Sequence, residues 1–303
     1  MTKRERQLLN WIEENPLISQ KELADKAGIT RSSVAVHISN LMKKGYITGK
    51  GYIVQTAPYV TVVGGVNVDI GGRPEAALVA RDSNPGAVHS SLGGVGRNIA
   101  HNMALAVSDM EIYRHLTPQA LAQRHKLLDA SQVVVIDTNI PAESIAWLAE
   151  NCAAPLFADP VSTAKAVKLK PVLGKLHTLK PNRLEAELLS GVPITGEASL
   201  NKAADALLET GLRRVFISLG AEGVFAADRS GRVQLPCLPA ELVNATGCGD
   251  AFMAAIAWAY LRGTDLADTA RAGLAASSIA MESRETINPA MSEEALESRL
   301  INP

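Results

Sequence analysis

The sequence predicts an α/β chain, a mainly parallel sheet covered by helices on both faces, preceded by a small basic helical module. Three observations carry this. Beyond residue 58, short apolar runs alternate with amphipathic or alanine-rich stretches, the pattern of strands joined by crossover helices. Residues 1–53 read differently, with two matches to the Ser/Thr-x-x-Glu helix start, Thr2 with Glu5 and Ser19 with Glu22. The formal charge of the whole chain is −1, yet residues 1–53 hold nine Lys and Arg against five Asp and Glu, a net +4 that leaves −5 for the rest.

A chain of 303 residues, 47% of them hydrophobic, has material for one large domain with a small appendage. No overall basic excess draws the whole chain onto nucleic acid, so any DNA contact must be local. Cys152, Cys237 and Cys248 are odd in number and share no metal or redox spacing, which points to a reducing cytoplasm. The start Met1-Thr2-Lys3-Arg4-Glu5 has no apolar signal core. The longest apolar run, 251–261, falls far short of the roughly 20 residues that a membrane span requires. A soluble cytoplasmic protein without membrane contact is expected.

In the front module the first helix should turn Leu8, Leu9, Trp11 and Ile12 to a small core. The second runs through Leu23 and Ala24 to a stop at Gly28. The third opens after Thr30, carries Val34, Val36, Ile38, Leu41 and Met42, and ends at Gly45, with a short hairpin over 46–53. After a linker at 55–58, strands are predicted at 59–65, 133–137, 155–159, 177–180, 214–219 and 223–227. Helices are predicted at 98–106, 118–128, 143–152, 183–190, 200–210, 250–261 and 266–281. Ligands of such sheets gather beyond the carboxyl ends of the strands.

One segment there stands out. Leu242 to Phe252 runs from an extended stretch through Gly247 and Gly249 into an alanine-rich helix. The two glycines let the chain turn tightly, so the amides of Cys248, Gly249 and Asp250 can converge on an anion at a helix N-terminus. Asp250 in isolation reads as a helix-dipole or capping carboxylate. Beside a phosphate nest it can instead accept the proton of an attacking hydroxyl. Cys248 is a small filler rather than a nucleophile, and no Gly-x-x-x-x-Gly-Lys-Ser/Thr loop occurs.

Gly247-Cys248-Gly249-Asp250 resembles the second signature of the ribokinase-like (PfkB-type) kinases. Four further segments fit that family in order. Gly65-Val66-Asn67-Val68-Asp69 resembles its first-strand Asn-x-Asp, and Gly93-Gly94-Val95-Gly96-Arg97-Asn98 its first signature. Lys180-Pro181-Asn182-Arg183-Leu184-Glu185 is similar to its Asn-x-x-Glu segment, and Ser218-Leu219-Gly220-Ala221-Glu222-Gly223 to its nucleotide-binding turn. Singly, Asn182 with Glu185 is also a capping box and the glycine pairs are ordinary turns.

The resemblance implies a three-layer αβα sandwich over 55–303 that uses ATP and Mg²⁺. Asp250 would be the catalytic base and Gly247, Cys248 and Gly249 the anion hole. Asn67, Asp69, Gly93, Gly94, Arg97, Asn98 and Asn139 would hold a sugar or nucleoside. Asn182, Glu185, Ser218, Gly220 and Gly223 would serve the nucleotide, with Glu185 reaching the metal through water. Arg97, the segments from Asp137 to Pro141 and from Asp159 to Ser162, and the late Glu282 to Pro289 look most like pseudouridine kinases, which make pseudouridine 5′-phosphate from ATP.

The chain departs from that family twice. Asn244 stands where many relatives have an Asp that helps hold a monovalent cation. An amide is a weaker ligand, so potassium activation is doubtful, although backbone carbonyls could supply most of such a site. Between the helix at 98–106 and Ser108, at least one strand-helix-strand unit and much of the lid over the sugar are absent near 105–109, roughly 30 residues or more. Either the chain is a shortened and inactive relative, or a stretch belonging between those residues is missing. The otherwise intact catalytic set favours the second.

Residues 1–54 resemble the winged helix-turn-helix of bacterial regulators. Arg31, Ser32, Ser33 and His37 would meet DNA from the recognition helix, and dimerisation or packing is the plainer role for the module. Two functions remain open: a kinase for a nucleoside or another pentose, and a transcription regulator whose kinase-like body senses such a ligand. A homodimer suits both.

Overall fold

The computed structural model describes residues 1–15, 18–47, 60–74, 86–102 and 116–301. At the front stand α1 (Lys3–Glu14), α2 (Gln20–Ala27) and α3 (Arg31–Lys43). Both expected capping boxes form: Thr2 Oγ1 accepts from the Glu5 amide, and a Glu5 carboxylate oxygen accepts from the Thr2 amide at 2.7 Å. Ser19 and Glu22 repeat the exchange. Glu5 also receives the Lys44 ammonium at 2.7 Å, which ties α1 to the end of α3. That bond and the Thr2 amide hold its carboxyl at about 2. Leu8, Ile12, Leu23, Val34, Ile38, Leu41 and Ile47 form the small core. Val36 and Met42, expected there, are exposed. Ile47 is buried, and the remainder of the expected hairpin lies outside the described residues.

The body contains β1 (Val60–Val63), β2 (Asn67–Pro74), β3 (Gly86–Gly93), α4 (Val95–Asn102), α5 (Pro118–Gln123), α6 (His125–Ala130), β4 (Val133–Asp137), α7 (Ala142–Asn151) and β5 (Leu156–Asp159). It continues with α8 (Thr163–Ala166), a 3₁₀ run (Val167–Lys175), β6 (Thr178–Leu179), α9 (Arg183–Ser190), α10 (Glu197–Glu209), β7 (Arg214–Ser218), β8 (Val224–Asp228), β9 (Gly231–Leu235), α11 (Cys248–Leu261), α12 (Leu266–Met281) and α13 (Glu293–Ile301). The predicted helix at 118–128 is two helices, broken at Arg124 (φ −105°, ψ 8°). The predicted helix at 98–106 begins at Val95, and its part beyond Asn102 lies outside the described residues.

Seven strands form one sheet in the order β1-β4-β5-β6-β7-β8-β9, parallel as far as β7 and antiparallel beyond. Every residue of β4 is buried, and its alternation divides two cores. Val133 and Val135 join Phe157, Phe216 and residues of α4, α11 and α12, whereas Val134 and Ile136 join the helices of the other face. This is the expected three-layer arrangement. Among the described residues β1 has a partner only in β4 and is less buried than it. The junction from Leu105 to Asp109 lies outside the described residues.

A separate hairpin, β2 with β3, was not predicted; its register runs from Asn67 opposite Gly93 to Pro74 opposite Gly86. Gly71, Gly72 and Pro74 suppress the strand signal there. Among the described residues no helix is long and apolar enough to cross a membrane.

Candidate active site

Because β1, β4, β5, β6 and β7 run parallel, their carboxyl ends bring Gly64-Gly65, Asp137, Asp159, Lys180 and Ser218 to one rim, where α4 and α11 begin. The start of α4 lies directly on the end of β1. A side chain on Gly94 (φ 101°) or Gly96 would collide with the backbone of residues 64–66, and the Arg97 amide donates to Gly65 O at 2.9 Å. Asp137 closes this corner by accepting from the amides of Gly65 and Asn139. Burial pushes its carboxyl up to about 6.

Gly247 caps α11 in the left-handed region (φ 87°) and has no side chain to bond the first-turn amides. A Cβ there would strike the Thr286 carbonyl. The amides of Gly249 and Asp250 are therefore left for an anion. Asp250 is buried in that first turn and accepts from Asn98 Nδ2 at 2.7 Å. Burial above all, then the Asp159 charge, pushes its carboxyl up to about 7. Arg97 Nη1 donates to Asn98 Oδ1 at 3.2 Å and to Leu92 O at 2.9 Å, so it fixes which way the amide faces.

Beneath this turn lies a group that sequence reasoning did not single out. Lys180 Nζ is 3.0 Å from Asp159 Oδ2 and 3.2 Å from where a Cβ on Gly249 would stand. Burial draws its ammonium down, but Asp159, Asp250 and Glu185 outweigh that and raise it. Asp159 accepts with its other oxygen from the Val161 amide at 2.8 Å. Val161 has φ 62°, and Ser162 N bonds Pro160 O at 2.6 Å, a tight three-residue turn of the strained hand. A β-branched residue there costs about 1–3 kcal/mol. Three buried carboxylates, Asp159, Asp250 and Glu185, thus act on one buried ammonium.

On the other flank Asn182 is the N-cap of α9 and forms a full capping box with Glu185. Burial raises the Glu185 carboxyl. Asn182 bridges to Ser218 at the end of β7, and Gly220 (φ 63°) and Gly223 (φ 92°) shape the turn that follows. Among the described residues no three His, Cys, Asp or Glu converge on a metal position. The donor set fits a hard cation held mainly by phosphate and water, with one carboxylate nearby.

The structure thus brings Asn98, Glu185 and Gly247 to Asp250 to one rim. Asn67 and Asp69 sit on β2, opposite Gly93 and Ser91, with their side chains outside the described part. Asn139 accepts from Lys165 Nζ at 2.6 Å. Arg97 Nη1 is engaged with Leu92 O and Asn98 Oδ1 beside that rim. Burial pushes the Cys248 thiol up to about 11, in keeping with a filler. In α3, Arg31 and Ser32 are exposed, but Ser33 is bonded to the Thr30 cap. His37 is half-buried with its Nδ1 unbonded, a correction to its expected place on the outer face.

Comparison with known proteins agrees with this geometry. The family model described as pfkB family carbohydrate kinase matches residues 111–293, and that of a winged helix-turn-helix DNA-binding domain matches residues 1–48. The Escherichia coli K12 protein named uncharacterized sugar kinase YeiI is 35% identical over 353 residues, covering 96% of this chain and 97% of that protein. Pseudouridine kinase from the same organism is 33% identical over 293 residues, covering 77% and 94%. A carbohydrate kinase structure from Agrobacterium tumefaciens superposes with a TM-score of 0.66 at 25% identity, covering 80% of this chain and 97% of that one. The two sequence alignments run over 353 and 293 positions but cover about 291 and 233 residues here, so each relative has about 60 positions without a counterpart.

Proposed function

The chain belongs to the pfkB family of carbohydrate kinases and opens with a winged helix-turn-helix domain, and from that premise we propose that it moves the γ-phosphoryl group of ATP to the 5′-hydroxymethyl of a nucleoside, pseudouridine first among the candidates. The observation that carries this is the uncapped glycine turn of α11 with Asp250 buried beside Asn98. As the hydroxyl oxygen bonds to the γ-phosphorus and the bond to the ADP oxygen breaks, Asp250 takes the hydroxyl proton. The Gly249 and Asp250 amides, with Lys180 below them, offset charge on the moving group. Asn182, Glu185, Ser218 and Gly220 flank the nucleotide, and Asn67, Asp69 and Asn98 hold the sugar. Mg²⁺, held near Glu185 through water, would neutralise phosphate charge.

The test is ADP formation by the full chain against pseudouridine, uridine, ribose and other pentoses. Turnover is expected with pseudouridine and lost in Asp250→Asn. ADP formation with pseudouridine that survives this substitution would overturn the assigned base. The match at residues 1–48 favours a second reading, a regulator whose body senses the same ligand. Saturable nucleoside binding without any ADP formation would select it.

A further inference from the structure

At the opposite end of the sheet from Asp250, β6 and β7 begin and β8 ends around a cavity of about 530 Å³, lined chiefly by His177, Arg213, Arg214, Asp228, Arg229 and Ser230. Its one carboxylate is already engaged. Asp228 accepts from Arg214 Nε and Nη2, each at 3.1 Å, and from the Ser230 amide at 2.8 Å. Among the described residues Arg213 and Arg229 have no ion-pair partner, so the cavity carries uncompensated positive charge. His177 is fixed by stacking on Phe157 (5.4 Å between centroids, 8°) and by an edge contact with Tyr260. Its ring is bonded to Thr178 Oγ1 at 2.9 Å. Burial, then Arg214 and Arg213, lowers its pKa to about 4.

We propose that this cavity is a binding site for a small phosphate-bearing ligand, separate from the catalytic rim and independent of the function proposed above. A guanidinium presents a planar fork that matches a phosphate face, and two such groups here lack an acceptor. The volume lies within the range of small-molecule sites. An anion seated there would favour the charged imidazole and raise His177 from its depressed value.

His177 is therefore the reporter. Its ring signals in the full chain, identified through a His177→Gln variant, are followed by NMR while inorganic phosphate, ribose 5-phosphate or ADP is added. At least one probe should move them saturably, with a midpoint weakened at least about tenfold in an Arg213→Gln, Arg229→Gln double variant of unchanged melting temperature. A response to phosphate alone marks the free anion as sufficient, and a response only to the larger probes assigns a sugar phosphate or nucleotide. Silence toward all three at millimolar concentration, or an equal response in the double variant, overturns the site.

Discussion

Burial gives Asp250 two opposed properties. With its carboxyl near 7 it can hold or release a proton close to neutrality, which suits a general base, and activity should rise through an acid limb near pH 7. The same shift costs stability. Its folded value lies above the ordinary 3.8, so between about pH 4 and pH 7 the native state retains a proton that the unfolded chain has lost. The contribution falls as pH rises through that interval and stays low above it. Asp250→Asn should therefore raise the melting temperature at pH 8 and change it far less at pH 4, a contrast that thermal melts at the two values will show. The motif containing Asp250 was legible in sequence because glycines and a helix start are local features. Lys180 and Asp159 were not. They lie at the carboxyl ends of neighbouring strands, and only the sheet order places an ammonium under Gly249.

The N-terminus of α11 is where element geometry becomes chemistry. Its two glycines have different tasks. Gly247→Ala forces a side chain into the left-handed region and against the Thr286 carbonyl, and should cost about 1–3 kcal/mol in urea unfolding together with turnover. Gly249→Ala meets only the flexible tip of Lys180 at 3.2 Å, so near-normal stability with reduced turnover is expected. A reversed order of stabilities would contradict this division. Strong periodicity made β4, β5, β7, α10 and α12 readable in advance. The β2–β3 hairpin was hidden by its glycines, and the break at Arg124 interrupts an otherwise continuous helical pattern.

For the molecule as a whole, the order of five short segments across more than 150 residues was readable, and those at Lys180 and Ser218 follow strands whose carboxyl ends a parallel sheet places on one rim. Among the described residues the front core draws only on those between Leu8 and Ile47, which supports a fold of its own. A fragment of residues 1–58 should show helical circular dichroism with a cooperative melt, and a coil spectrum would refute independent folding.

The buried carboxylates of this rim also bear on the protein's proton inventory. With Asp137 near 6 and Asp250 near 7, the rim stores protons at neutral pH that an arriving cation expels. Binding of Mg²⁺ with ADP should release them into solution. Calorimetric heats measured in phosphate and in Tris will then differ in proportion to the buffers' ionisation enthalpies, and identical heats would mean that the rim is already deprotonated before the ligand arrives.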